Sequence, residues 1–326
     1  MIVRISEDIY LEKGYFELLD KIVDLFHVGK HVWDVQNPDL IKKSEWLKSE
    51  ENSRLGKKVE FLTKATVRSA YIGKKSHNSK RILITSNPKV PEAEFDIQSA
   101  YYFLAEPLYI VVENENSDRV FIEAIARAFQ LNDLLKAIDE GWIYFDSEGG
   151  GGAIPRKLHK HLQCPYKRRI LVIVDSDKEH PHDQHGAEAI ENLCIKNNIK
   201  CIILYKRAIE NYIPLEAIST LPKCISHVVK AYLLLDDDQQ DFYHLKKGFF
   251  GKGKLPEKQA DLFNNISSRD QLFRDLRDGF SHRDYNPNDL YQLFDYASVN
   301  SGTLKTRCKR NPDELKNIMD AILSLL

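Results

Sequence analysis

The chain lacks any apolar run approaching the roughly 18 residues that cross a bilayer, which excludes a helical membrane protein as the expectation. Its opening segment, MIVRISEDIYLEKGY, has no apolar core of the kind a secretory leader needs. Cysteine is scarce and odd in number. The five residues Cys164, Cys194, Cys201, Cys224 and Cys308 form no CxxC pair, which argues against a disulfide framework and points to reduced thiols in a cytoplasmic protein. An excess of charge of one sign is missing too, since 47 Lys and Arg meet 48 Asp and Glu. A neutral total still allows a basic groove beside an acidic metal site. No internal repeat occurs. With 43% hydrophobic and 29% charged residues over 326 positions, the chain is of ordinary globular type, long enough for one large domain or two to three modest ones.

Three zones differ in pattern. Residues 1–100 are expected to be mostly helical, opening with an amphipathic helix in which Tyr15, Leu18, Leu19, Ile22, Val23 and Phe26 recur at helical spacing. A lysine-rich stretch, a short strand RILIT (81–85) and a proline-punctuated loop follow, and FDIQSAYYFLA reads as a helix packed on what comes next. Residues 101–215 alternate short β-rich runs (LYIVVE, WIYF, RILVIVD, KCIILY) with helical segments, including one at 117–130 with Phe121, Ile125, Ala128 and Phe129 on one face. That alternation predicts an α/β domain with a buried, mainly parallel four-stranded sheet flanked by helices. Residues 216–326 return to helical periodicity, interrupted by the loop KKGFFGKGKLPEK at 246–258.

Acidic residues fall where the strands end. Glu113 closes LYIVVE, Asp118 lies at the start of the following helix, Asp175 and Asp177 end RILVIVDSD, and Glu210 follows KCIILY within KRAIENYIP. Open α/β sheets collect functional groups at the carboxyl ends of parallel strands. Carboxylates crowded at the edge of a buried sheet repel one another and are partly desolvated. A divalent cation offsets both penalties, and hard oxygen ligands suit Mg²⁺ or Mn²⁺ rather than zinc. Singly, each residue has an ordinary reading: Ser117-Asp118 as a capping pair, Asp175 and Asp177 as solvated turn residues, Glu210 as a surface glutamate. Taken together, these acidic positions at three strand ends are harder to account for in that way.

The order VVENENSDRVFI, a glycine-rich turn, VIVDSD and KRAIENYIP resembles the TOPRIM domain (a Rossmann-like fold) of topoisomerases, primases and OLD-family nucleases. The form ENxxSD with a later IENY looks most like the OLD-type nucleases and related anti-phage TOPRIM effectors, over about one third of the chain. The resemblance implies that Glu113 is a metal ligand or acid/base, that Asp118, Asp175 and Asp177 ligate metal, and that Glu210 belongs to the final motif as ligand or base. Two positions depart from the pattern. Glu113 precedes Asp118 by five positions with asparagine in place of glycine, so that Glu115 competes for the role, and Ala208 stands where relatives often carry another glutamate. The segment YHLKKGF resembles the region where OLD-type nucleases place a catalytic lysine, here Lys246 or Lys247.

Basic residues supply the other half of a nuclease. Arg156, Lys157, Lys160, Lys167, Arg168 and Arg169 lie between Pro155 and Ile170 with no acidic residue among them, and such a run can follow a phosphate backbone or be a solvated helix face. The turn EGGGG at 148–152 before a helix could position phosphate or be only a tight turn. His180, His182 and His185 resemble zinc spacing only loosely, and no acidic or cysteine framework completes a site.

The expectation is a metal-dependent nuclease cutting DNA or RNA in bacterial anti-phage defence. No GxxxxGK[ST] phosphate loop occurs, so any ATPase is a separate subunit, and self-association stays open. The alternatives are a non-catalytic module binding nucleic acid or a partner, and an RNA- or tRNA-cleaving toxin released by a separate sensor ATPase.

Overall fold

In a computed structural model, residues 1–49, 52–75, 80–91, 93–149, 151–249, 255 and 257–326 are described. Two four-stranded parallel sheets organise them. The first contains β1 (Ile2–Ile5), β2 (Val32–Trp33), β3 (Arg81–Ile84) and β4 (Glu94–Phe95) in the order β2-β1-β3-β4. Helices Phe16–His27 and Asn52–Lys75 accompany this sheet. The N-terminal region is thus helical around a sheet of which only RILIT was expected. Strands of two to four residues are too short to show a period of two.

The second sheet contains β5 (Leu108–Val111), β6 (Ile143–Asp146), β7 (Arg169–Val174) and β8 (Lys200–Ile203), ordered β6-β5-β7-β8. These are the four strands expected from the apolar runs, and every pairing is parallel. β7 is buried at all six positions, as a central strand covered on both faces must be. Side chains alternate between two cores. Leu108, Ile110, Leu171 and Ile173 face Phe121 and Ile125 of the helix Glu115–Ala128. Val111, Val172 and Val174 face Ile154 and Leu158 of the helix Ile154–Leu162 and Ile190 and Cys194 of the helix Glu188–Lys196.

The boundary expected at residue 101 falls inside the helix Ile97–Ala105, whose Ile97, Ala100, Phe103 and Leu104 sink into the N-terminal core. Residues beyond 215 share the core of the second sheet rather than forming their own. Phe121 packs on Tyr212 and Phe294 with ring centroids 5.3 Å apart in each case, and the cluster runs on to Ile318 and Ile322 of the helix Glu314–Leu325. No helix among the described residues is long and apolar enough to cross a membrane.

One backbone crossing fixes the segment that carries Lys246. Gly248 (φ 58°) and Gly279 (φ 64°) lie back to back, so that a Cβ on Gly248 would sit 2.5 Å from the carbonyl oxygen of Arg277 and closer still to Leu276 and Gly279. The chain cannot yield there without parting, because Phe249 N–H donates to Arg277 O at 2.9 Å and Phe280 N–H to Leu245 O at 2.7 Å. Gly248→Ala is expected to destabilise the protein by about 2–3 kcal/mol, from strain and overpacking together. A urea midpoint unchanged from wild type would contradict this.

Candidate active site

The carboxyl edge of the second sheet gathers the acidic residues. Glu113 lies just past β5 in the bend that leads into the helix Glu115–Ala128. That helix is capped by Asn114, whose side-chain oxygen accepts from the backbone N–H of Asn116 (3.1 Å) and Ser117 (3.3 Å). The ordinary reading of Ser117-Asp118 as the cap is therefore displaced by three to four positions. Asp118 stands in the first turn, 9% exposed, and its Oδ2 accepts the Asn114 N–H at 2.9 Å. Asp175 follows β7, and its Oδ1 accepts the Ile209 N–H at 3.1 Å, which ties the end of β7 to the turn Ile209–Tyr212. Asp177 is exposed at φ 53°, with its N–H donating to Arg207 O at 3.0 Å. Glu210, expected after the KCIILY strand, comes seven residues past the end of β8 in that turn and is 4% exposed.

These groups feel one another. Burial raises the Asp175 carboxyl well above its usual range, and Glu210, Glu113, Asp118 and Asp177 push it the same way. Burial likewise lifts Asp118 to about 7, with Glu113 and Glu210 adding to it and Lys246 and the Asn114 N–H opposing. Lys246 answers this charge from within the cluster. Lys246 Nζ stands 2.6 Å from Glu210 Oε1, and although burial opposes its charge, Glu210, Asp175 and Asp118 outweigh it and hold its pKa above the usual value. Lys247, the other candidate, is exposed and its backbone N–H bonds to His244 O at 3.2 Å.

As a donor set, mutually repelling and partly desolvated carboxylates fit a hard divalent cation. They do not yet form a closed cage: among the described residues no group of three or more His, Cys, Asp or Glu is arranged to hold an ion. The reason is visible in their bonds, since Glu210 is turned to Lys246, Asp118 to Asn114 and Asp175 to Ile209.

Sequence reasoning missed four groups beside this edge. Arg207 is 6% exposed and points toward Glu179, 3.9 Å away. Burial lowers its pKa, against the pull of Glu179, Asp177, Asp175 and Asp183. Beneath it Lys206 forms a buried ion pair with Asp241, which Arg307 approaches at 3.5 Å. The two adjacent bases in KRAIENY were the available sign of Arg207 and Lys206. Nothing local marks Asp241 or Arg307.

The basic run 156–169 does not form one surface. The helix Ile154–Leu162 starts near the carboxyl edge and crosses the sheet, so Arg156, Lys157 and Lys160 belong near one end of it and Lys167, Arg168 and Arg169 to the other. Asp146, which ends β6, and Glu148 answer the first three. Arg156 and Lys160 stand 2.5 and 2.6 Å from Glu148, holding its pKa down at about 2, and Lys157 pairs with Asp146. His161 Nε2 meets the other Asp146 oxygen at 2.9 Å. Arg169 corrects the expectation of a nucleic-acid contact on the surface: it is 2% exposed, with Nη1 donating to Leu325 O at 3.2 Å and Nη2 to Glu106 O at 2.5 Å. It opens β7 on the side of the sheet remote from the carboxylates, so it does not share a surface with Arg156 and Lys157.

In the glycine turn, Gly149 adopts φ 84°, which glycine tolerates, while Gly150 lies outside the described residues, as do 250–254 and 256 of the lysine–glycine loop. His185 pairs with Glu191 at 3.2 Å, and the His180 and His182 rings lie 5.2 Å apart. Compared with known proteins, the chain matches no family model, no curated protein and no solved structure.

Proposed function

We propose that the protein is a metal-dependent nuclease that hydrolyses phosphodiester bonds of DNA or RNA, with the second sheet and its helices forming a TOPRIM domain of the OLD-nuclease type. The observation that carries this reading is the electrostatic coupling of Glu113, Asp118, Asp175 and Glu210, from three strand-end segments, around the ammonium of Lys246. Such concentration of perturbed groups at one strand edge is characteristic of functional sites.

Glu113, Asp118, Asp175 and Asp177 would hold one or two Mg²⁺ or Mn²⁺ ions, with Glu210 completing the set. The ion, when bound, lowers the pKa of its water and neutralises phosphate oxygens. Glu113 or Glu210 accepts the proton of the attacking water. Lys246 donates to the oxygen on which charge develops as the bond to phosphorus breaks. Arg156 and Lys160, whose pairs with Glu148 are exposed to solvent and screened by it, can exchange that carboxylate for a strand phosphate.

An effector role in anti-phage defence belongs to this proposal, with a separate ATPase as a partner. RNA, including tRNA, stands beside DNA as substrate. A second reading, a non-catalytic module that binds nucleic acid or a partner, is favoured by one observation: Lys246 already neutralises Glu210.

Plasmid, linear duplex, single-stranded DNA and total RNA incubated with Mg²⁺, Mn²⁺ or EDTA separate the readings. Cutting that needs metal and disappears in Glu113→Ala and Asp175→Ala is the expected result. Binding without cutting by folded wild type, alone and with its ATPase partner, would favour the module.

A further inference from the structure

The strongest feature outside the carboxylate edge is a cavity of about 350 Å³ at the opposite, amino edge of the second sheet. Among the described residues, the cations Lys80, Lys167, Arg168, Arg169 and Lys200 line it and no aspartate or glutamate does. The topology creates this imbalance, because β7 begins at Arg169 and β8 at Lys200, so that adjacent parallel strands deliver their first residues to one wall. Tyr166 and Phe103 supply aromatic surface beside them, Tyr166 being stacked on Tyr102 at 3.8 Å and bonded through its hydroxyl to Gln98 at 3.1 Å.

A guanidinium buried at the wall of a concavity ringed by cations is unfavourable unless something anionic answers it. Glu106 answers in part: its carboxylate lies 3.6 Å from Arg168 and its carbonyl takes one arm of Arg169. Two protein carbonyls, Glu106 and Leu325, hold the Nη atoms of Arg169, yet its Nε is buried with no hydrogen-bond partner. An unsatisfied donor on a guanidinium that is 2% exposed, at the wall of a basic cavity, is an observation independent of the charge count. Buried donors are seldom left unmade, and a charged one least of all.

We propose that this cavity is a binding site for a terminal phosphate carried on a nucleoside, with the phosphate seated among Arg168, Arg169, Lys167 and Lys200 and the nucleoside against Tyr166. The size suits one nucleotide, and a dianionic phosphomonoester matches clustered guanidinium and ammonium groups better than a monoanionic diester does. The phosphate can come from a free nucleotide or from the 5′ end of a nucleic-acid strand. The site is separate from the carboxylates and does not depend on the protein being a nuclease.

The test is calorimetric titration of the full chain in EDTA, which removes metal-mediated binding at the other edge. The probes are AMP, adenosine, and a DNA trinucleotide with and without a 5′-phosphate. AMP, the phosphorylated trinucleotide or both are expected to bind at least tenfold more tightly than their unphosphorylated counterparts. Binding of AMP alone identifies the free nucleotide, and binding of the trinucleotide alone identifies a strand end. Lys167→Glu with Lys200→Glu, both exposed positions, is expected to weaken binding at least tenfold, whereas Asp175→Asn leaves it unchanged. The proposal fails if the phosphate gives no advantage, if the charge reversals have no effect, or if Asp175→Asn abolishes binding.

Discussion

At pH 8 and without divalent cation, Asp118→Asn is expected to be more stable than wild type by about 4 kcal/mol, and Mn²⁺ is expected to narrow or reverse that order. The sign follows from where the proton sits. Asp118 titrates near 3.8 in an unfolded chain and at about 7 in the folded one, because burial and the neighbouring Glu113 and Glu210 disfavour its charge. Below pH 4 both states are protonated and the group contributes nothing. Between 4 and 7 the folded protein keeps a proton that the unfolded chain has released, so stability falls as pH rises, by up to ~1.4 kcal/mol per unit. Above 7 the loss is complete. Asparagine does not titrate and retains an oxygen for the Asn114 N–H that Asp118 now accepts at 2.9 Å. A bound dication acts in the other direction, since it selects the ionised carboxylate: at a hundredfold excess over its dissociation constant it adds ~2.7 kcal/mol. Thermal melts of both proteins at pH 5 and pH 8, with and without Mn²⁺, read the whole cycle. Equal stabilities at pH 8 without metal, or equal stabilisation of both by Mn²⁺, would remove Asp118 from the site.

Lys246→Ala is expected to slow metal-dependent cleavage by about 10²–10³, the loss that follows removal of one donor aimed at developing charge, while Lys247→Ala stays within a few-fold of wild type. The difference rests on placement. Lys246 is drawn into the carboxylates, 2.6 Å from Glu210, whereas Lys247 is exposed. Lys246→Ala also leaves Glu210 buried among like charges, so its folding should be checked by circular dichroism and the rates compared at saturating metal. Lys246→Arg, which preserves charge but not the compact ammonium, is expected to recover part of the rate. The assignment would be wrong if the alanine substitutions at 246 and 247 had equal effects.

Much of the second sheet was legible because its strands are continuous apolar runs, RILVIV above all, and because parallel strands place their ends together. That logic alone gathers Glu113, Asp118, Asp175 and Glu210, with no knowledge of their contacts. It could not position Glu210, which reaches the edge only after a seven-residue excursion fixed by the Ile209 N–H on Asp175. The first sheet escaped notice because IVRI, VW and EF are too brief to display a period. Six bases in one run suggested one surface, yet a helix of nine residues carries the chain ~13 Å along the sheet and separates Arg156 and Lys157 from Lys167. Arg169 looked like its neighbours in sequence, and only the strand start that it occupies buries it. The pairing of Lys206 with Asp241 and Arg307 is long-range, and local pattern carries no trace of it.

The apolar core shared between the second sheet and the C-terminal helices decides how the protein can be cut and joined. Residues 101–215 look like a portable module, but severing the chain after 215 would strip Phe294, Ile318 and Ile322 from Phe121 and its neighbours. It would also orphan Lys206 by removing Asp241, and take Lys246 from Glu210. A fragment meant to be transplanted into another protein must therefore run from the start of β5 through the helix Glu314–Leu325. Recombination that exchanged only the strand-and-loop part between relatives would yield chains that fail to fold before their chemistry could be compared.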